Sequence, residues 1–385
     1  MKCLLFIPLV LACIWDNDTL KEEQRGLPEV AALIEGRFEK HSDFYYEQRL
    51  TTPRETLDDL DNHAVALEKL GRIDEAIALL EPVTAEHPSR YTTHANLGTF
   101  FIHRWLRDKN VSDLDRGIEL IERAIEINPD AHFGREKYQL QLAQHVRAAV
   151  GGDEFAAGTS FVTPLVLGER LDNLRHPFGD DANREPGDPT LVESVHESMN
   201  MYVRVSSNWQ GNASPDPEIE AAIEGVAGMI RFGTGTSPHL YEALGDLLAK
   251  RGDRRLAAHA YLRAIEFGHP DQSRINEAID RVTGVIQQHM REEIARQAVL
   301  DRQAADAWVA AFQAFEDQLL RDGVPLTDAA YAPFYAEYGN PRTPPPKTYD
   351  EYISRAWLRA GVIGFLLFLG GFVVIFTVRR LLRVA

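Results

Sequence analysis

The sequence predicts an all-α fold: an α-solenoid of helical hairpins, broken by an irregular insert and followed by one C-terminal transmembrane helix. Three observations carry this expectation. A hairpin-like pattern at Asn62–Pro88 recurs at Leu244–Pro270, apolar residues from about 56 to 148 fall at helical spacing, and Ala360–Val378 is an uncharged apolar run. Self-similarity on this scale marks stacked helical units, each burying its apolar face only against its neighbours. Such arrays usually bind rather than catalyse.

Composition narrows the field. The formal net charge of −17 repels phosphate backbones and argues against nucleic acid as a partner. Only two cysteines occur, Cys3 and Cys13, both in the first apolar stretch. If that stretch is removed before Cys13 one thiol remains, and a later cut leaves none. A disulfide framework, a Cys-rich zinc site and a buried catalytic thiol are then all excluded.

Residues 1–15 open with Met1-Lys2, continue as a mostly apolar run from Cys3 to Trp15 and give way to Asp16. This reads as an export signal, since a span needs about 20 residues. Val10-Leu11-Ala12-Cys13 resembles a bacterial lipobox, which implies lipidation of Cys13. At the other end, residues 360–378 form a helix of about 28 Å. Arg359 stops it on one side, and Arg379, Arg380 and Arg383 of the basic tail 379–385 stop it on the other. That tail suits the cytoplasm. With the export signal, this gives a single-pass membrane protein whose bulk lies outside the cytoplasm, periplasmic or at the cell surface. Without the signal the protein is tail-anchored with a cytoplasmic body.

Residues 20–150 carry the N-terminal repeats. The first copy places small Ala64 and Ala76 where its two helices cross and Leu60, Leu67 and Leu80 where they meet the next unit; Gly71 ends the first helix and Pro88 marks the exit. Pro82, inside the second helix, should kink or shorten it. The second copy starts at Asn96-Leu97-Gly98 and ends with Gly117, Ile121, Ala124 and Pro129. It carries roughly seven extra residues around Arg107–Ser112, expected to lengthen its turn. Ala131–Val150 is a third first-helix with Tyr138 and Leu142 inward. Residues 217–271 are the C-terminal repeat region: a helical stretch Pro217–Phe232, read as a worn repeat, precedes the last copy at 238–270, with Gly245, Gly252, Ala257, Tyr261 and Ala264.

These residues resemble the tetratricopeptide repeat family over about 150 residues of the chain, through four partial matches. The resemblance implies a concave groove lined by the first helix of each hairpin. Its outward positions, the candidate partner-binding residues, are Asp61, Glu68, Lys69, Thr99, His103, Glu242, Asp246 and Lys250. One subclass grips a chaperone's terminal carboxylate with a lysine and asparagine clamp. Asn96 and Lys137 fit that clamp, but Asp61 and Val65 stand at its places in the first repeat and speak against it.

Residues 151–216 are rich in Gly, Pro, Asp and Asn and read as an irregular insert packed on the helices, with Phe161–Leu167 as one short strand or an extended crossing. Residues 272–325 read as a long helical cap, and 326–359 as a Pro-rich spacer before the membrane.

Chemistry is hard to find. Gly151-Gly152-Asp153-Glu154-Phe155 spells the diguanylate cyclase signature, a remote pointer to a nucleotide-cyclising enzyme, but the upstream elements of that family are missing. Gly233-Thr-Gly235-Thr lacks the strand and lysine of a phosphate loop. The thirteen histidines show no paired zinc spacing, and no serine sits in a nucleophile elbow. The expectation is therefore a non-enzymatic scaffold or assembly factor at a membrane. It holds other proteins or peptides, with no cofactor, no metal and no small-molecule substrate.

Overall fold

A computed structural model describes residues 16–129, 134–168, 216–233, 235–283 and 288–343. The chain divides into two compact units, Met1–Arg342 and Thr343–Ala385, and every described helix belongs to the first. The export signal, Cys13, much of the insert, the proline run and the apolar run 360–378 lie outside the described residues. Among the described residues there are sixteen helices and no strand, and no helix is long and apolar enough to cross a membrane. The all-α expectation holds to that extent.

Three short helices come first: α1 (Asn17–Gln24), α2 (Val30–Glu35) and α3 (Asp43–Leu50). Then α4 (Leu57–Lys69) and α5 (Ile73–Glu86) form the first hairpin. Thr56 and Asp59 cap α4 reciprocally, each side chain taking the other's backbone N–H. Gly71, at φ +75, ends it, and Arg72 N–H returns to Leu67 C=O at 2.8 Å. Pro82 does not shorten α5, which runs on to Glu86 with Leu80 and Val83 buried on either side of the proline.

The second hairpin, α6 (Tyr91–Asp108) and α7 (Val111–Ile127), corrects one expectation. The extra residues do not lengthen the turn; they lengthen the helices, leaving only Lys109 and Asn110 between them. Asn110 caps α7 through Ser112 N–H, and Arg104 pairs with Asp113 across the turn at 2.8 Å. The two helices cross at glycines: a Cβ on Gly117 would stand 2.8 Å from the Gly98 carbonyl. The third first-helix, α8 (Arg135–Val150), buries Tyr138 and Leu142 as expected.

Within the insert lies α9 (Glu154–Gly158), and α10 (Thr163–Leu167) stands where a short strand or an extended crossing was expected over Phe161–Leu167. Thr163 opens α10 with Pro164 in its first turn, a favourable place for a residue without an N–H. Phe161, Val162, Val166 and Leu167 enter the main core. The series resumes with α11 (Pro217–Phe232), which packs on α8, and continues with α12 (Pro238–Arg251), α13 (Arg254–Glu266) and α14 (Gln272–Thr283), each against its predecessor. Tyr138 lies over Gly225 and Tyr261 over Gly245, so closely that a Cβ at either glycine would meet the ring within 2.4 Å.

The expected cap is two helices, α14 and α15 (Gln288–Arg321), the latter about 50 Å long. α15 lies against α13, α2 and α3. The spacer begins later than the sequence suggests, because α16 (Asp328–Tyr338) packs on α15. Trp308, Phe312, Tyr331 and Phe334 form a separate aromatic core there, and the Trp308 indole N–H donates to Tyr338 C=O at 3.1 Å.

Candidate functional site

The residues expected to line an open groove are turned into the fold. Asp61, Glu68, Thr99, His103, Glu242 and Asp246 are buried, and Lys69 and Lys250 are partly so. Asp61 accepts from Arg90 Nη2 at 2.6 Å and from the Thr92 and Thr93 hydroxyls. Glu68 of α4 meets His103 Nδ1 of α6 at 2.7 Å. Burial pushes the Glu68 carboxyl up, but Lys69 and His103 pull it below its ordinary value. Thr99 donates to Ala95 C=O and accepts from Gln139 of α8 at 2.9 Å. Lys69 Nζ reaches Phe232 C=O at 3.4 Å, and Lys250 Nζ reaches Val166 C=O at 2.8 Å. These side chains join one helix to the next. A charged residue looks solvated in sequence because its partner, tens of residues away, is not visible there.

Glu242 and Asp246 belong to a second polar cluster. Arg274 donates to Glu242 Oε1, and His269 Nε2 lies 2.9 Å from Oε2. Tyr261 O–H donates to Asp246 at 2.7 Å. Burial and the neighbouring Glu242 charge push Asp246 up to about 6. A cavity of about 20 Å³ lies among Asp246, Tyr261, Arg274 and Arg281, room for one water.

His239, Glu242 and His269 bring three metal-capable atoms within 4.8 Å of one another, a grouping that sequence reasoning missed because His269 lies beyond α13. The donor chemistry does not fit a cation. His269 Nδ1 accepts from Asp271 N–H at 3.1 Å, so the ring proton sits on Nε2, the atom a metal would need, and points at Glu242. Arg274 already neutralises that carboxylate. The group is a hydrogen-bonded clasp between α12 and the approach to α14.

The largest buried ionic assembly was not legible in sequence. His41, between α2 and α3, sets Nδ1 2.8 Å from Glu316 of α15 and Nε2 3.1 Å from Glu22 of α1. Burial alone would strip its proton, but the two carboxylates push it up to about 10, so the ring is an imidazolium donating on both sides. Glu22 also accepts from Arg231 of α11 at 2.6 Å; against the upward push of burial, Arg231 and His41 draw it down to about 2. Glu39 takes Arg231 at 3.3 Å, Arg342, and the Tyr335 hydroxyl at 2.6 Å. Glu23 pairs with Arg135 of α8. Four carboxylates thus face four cations, tying α1 and the 339–342 segment to α8, α11 and α15. Pinned between two carboxylates, His41 is not available as a general base near neutral pH.

Cavities flank this assembly. One of about 210 Å³ reaches Phe38, Lys69, Arg231 and Phe232, and one of about 340 Å³ reaches Arg49, Leu320, Leu326 and Tyr331. The sequence motifs fall elsewhere. Gly151 and Gly152 end α8, and Asp153 spends its carboxylate capping α9 through Phe155 and Ala156 N–H groups. Gly233, Gly235 and Thr236 lie between α11 and α12. No family model matches this chain, and no curated protein sequence matches it.

Proposed function

We propose that this chain is a membrane-anchored scaffold or assembly factor, built from tetratricopeptide-like hairpins into an α-solenoid that binds other proteins. The observation that carries the reading is the serial packing of α4 through α8 and α11 through α14, each helix on the one before it, with close crossings at Gly98–Gly117 and Gly245–Tyr261. Helices joined this way leave long faces for other chains, and neither ionic cluster presents an activated nucleophile or base. In this reading residues 1–15 direct export, with Cys13 as a lipidation point, and residues 360–378 hold the protein in the bilayer with residues 379–385 in the cytoplasm.

Carbonate extraction and protease digestion of intact spheroplasts test the placement. The protein should stay with the membrane and be cleaved without lysis. Cleavage only after lysis would instead support a cytoplasmic, tail-anchored adaptor, and release by carbonate would end the membrane reading.

A further inference from the structure

α1 is attached to the rest of the protein in an unusual way. Of its eight residues only Glu22 and Glu23 are buried, and both are spent on ion pairs with His41, Arg231 and Arg135. Its other ties are polar as well: Asn17 N–H to Asn62 at 2.9 Å, Asp18 to Arg49 and Tyr45, and Arg25 to Asp328 beyond its end. α2 is the opposite case, with Ala32, Leu33 and Ile34 sunk into the apolar interior. Between the two stand Gly26, at φ +86 with open space where a side chain would go, and Pro28. The glycine sets the change of direction, its carbonyl takes Arg342 Nε at 3.0 Å, and Leu27 packs on the main core, so the apolar anchoring begins only after α1.

α1 also divides a space. The 210 Å³ and 340 Å³ cavities share Asp18, Glu22, His41 and Tyr45 in their walls, so α1 stands between them. With α1 lifted, the space it fills would join them into one cleft over His41 and Tyr45. Its walls carry aromatic Phe38, Tyr45 and Phe232. Its floor carries the nearly fully buried Arg231, which would lose Glu22 at 2.6 Å and keep Glu39 at 3.3 Å.

We propose that α1 is an exchangeable plug over a partner-binding cleft, and that the cleft accepts an acidic helical segment of another protein in its place. The proposal rests on the protein-binding reading above and gives it a location and a chemistry. Glu22 on a polar helix, with Glu23 beside it paired to Arg135, is what the cleft holds in cis, and charge complementarity selects the same in trans.

The test uses the full chain and a fluorescent peptide with the sequence of residues 16–27. E22Q/E23Q weakens the plug and leaves the cleft wall intact. The variant should bind the peptide at least tenfold more tightly than the wild type does, and tenfold more tightly than it binds a peptide with both glutamates changed to glutamine. A folded variant that shows neither preference overturns the proposal. If the variant does not fold, hydrogen exchange on the wild type decides. The α1 amides should exchange by an opening that leaves α12 and α13 protected and that salt accelerates; α1 protection equal to that of α12 overturns it. Crosslinks to other proteins confined to surfaces away from the cleft would end this proposal and leave the interaction reading standing.

Discussion

His41 and Glu316 meet at 2.8 Å although 275 residues separate them, and that contact joins the start of the folded unit to its longest helix. Glu316 is fully buried, takes the Tyr331 hydroxyl and faces the imidazolium. H41A would leave Glu316 and Glu22 each short of a cation. The expected cost is about 3–5 kcal/mol, read as a lower urea midpoint, since breaking a buried pair strands the other charge. A loss below about 0.5 kcal/mol, as for an exposed pair, would contradict the assignment.

The same cluster sets a pH window. His41 is raised to about 10, so its contribution is complete below the unfolded value of 6.5 and fades as pH climbs toward 10. Glu22 is lowered to about 2, so its contribution is complete above 4.5 and fades as pH falls toward 2. Thermal midpoints should form a plateau between these limits. In H41A the alkaline decline should shrink.

Asp246 has the opposite sign to Glu22. Its carboxyl is pushed up to about 6, so the folded state is favoured at low pH, and that advantage disappears as pH rises through 6. D246N keeps an oxygen to accept the Tyr261 hydroxyl and removes the buried charge. At pH 7.5 it should be neutral or stabilising by about 1–2 kcal/mol, with no gain at pH 4. Destabilisation at both pH values would contradict this account.

At the Gly245–Tyr261 crossing a Cβ would stand 2.4 Å from the buried ring. G245A should cost about 2–3 kcal/mol by overpacking. G71A, where nothing lies within 4 Å, carries only the backbone cost of a positive φ, about 1 kcal/mol. Chemical denaturation of the two variants compares them directly, and an equal loss would mean the helices at Gly245 are free to separate.

Zinc should leave the thermal midpoint unchanged up to about 100-fold excess, because His269 Nε2 carries its proton toward Glu242. A rise that H269A abolishes would show that the clasp rearranges into a metal site.

What the sequence revealed was local. The Gly71 stop and the inward Tyr138 and Leu142 depend on neighbours within a turn or two. The Gly71 stop and the two inward residues are found as read. The Arg107–Ser112 surplus was misplaced because an amphipathic helix can absorb extra turns as readily as a loop can. Thr163–Leu167 was misread because a short apolar run looks the same as a strand or as a buried helical turn. The candidate groove residues are buried or part-buried for a different reason. Asp61 needs Arg90, Glu68 needs His103 and Glu242 needs Arg274, and side-chain partners at such separations leave no periodic trace.

The most direct test of the binding account is site-specific photo-crosslinking in native membranes. A reactive residue at Gln48, on the wall of the larger cavity, is compared with one at Arg123, exposed on α7. The account predicts a defined protein adduct from Gln48, suppressed by the acidic 16–27 peptide, and none from Arg123. An adduct from both positions that the peptide does not affect, or none from either, would contradict it.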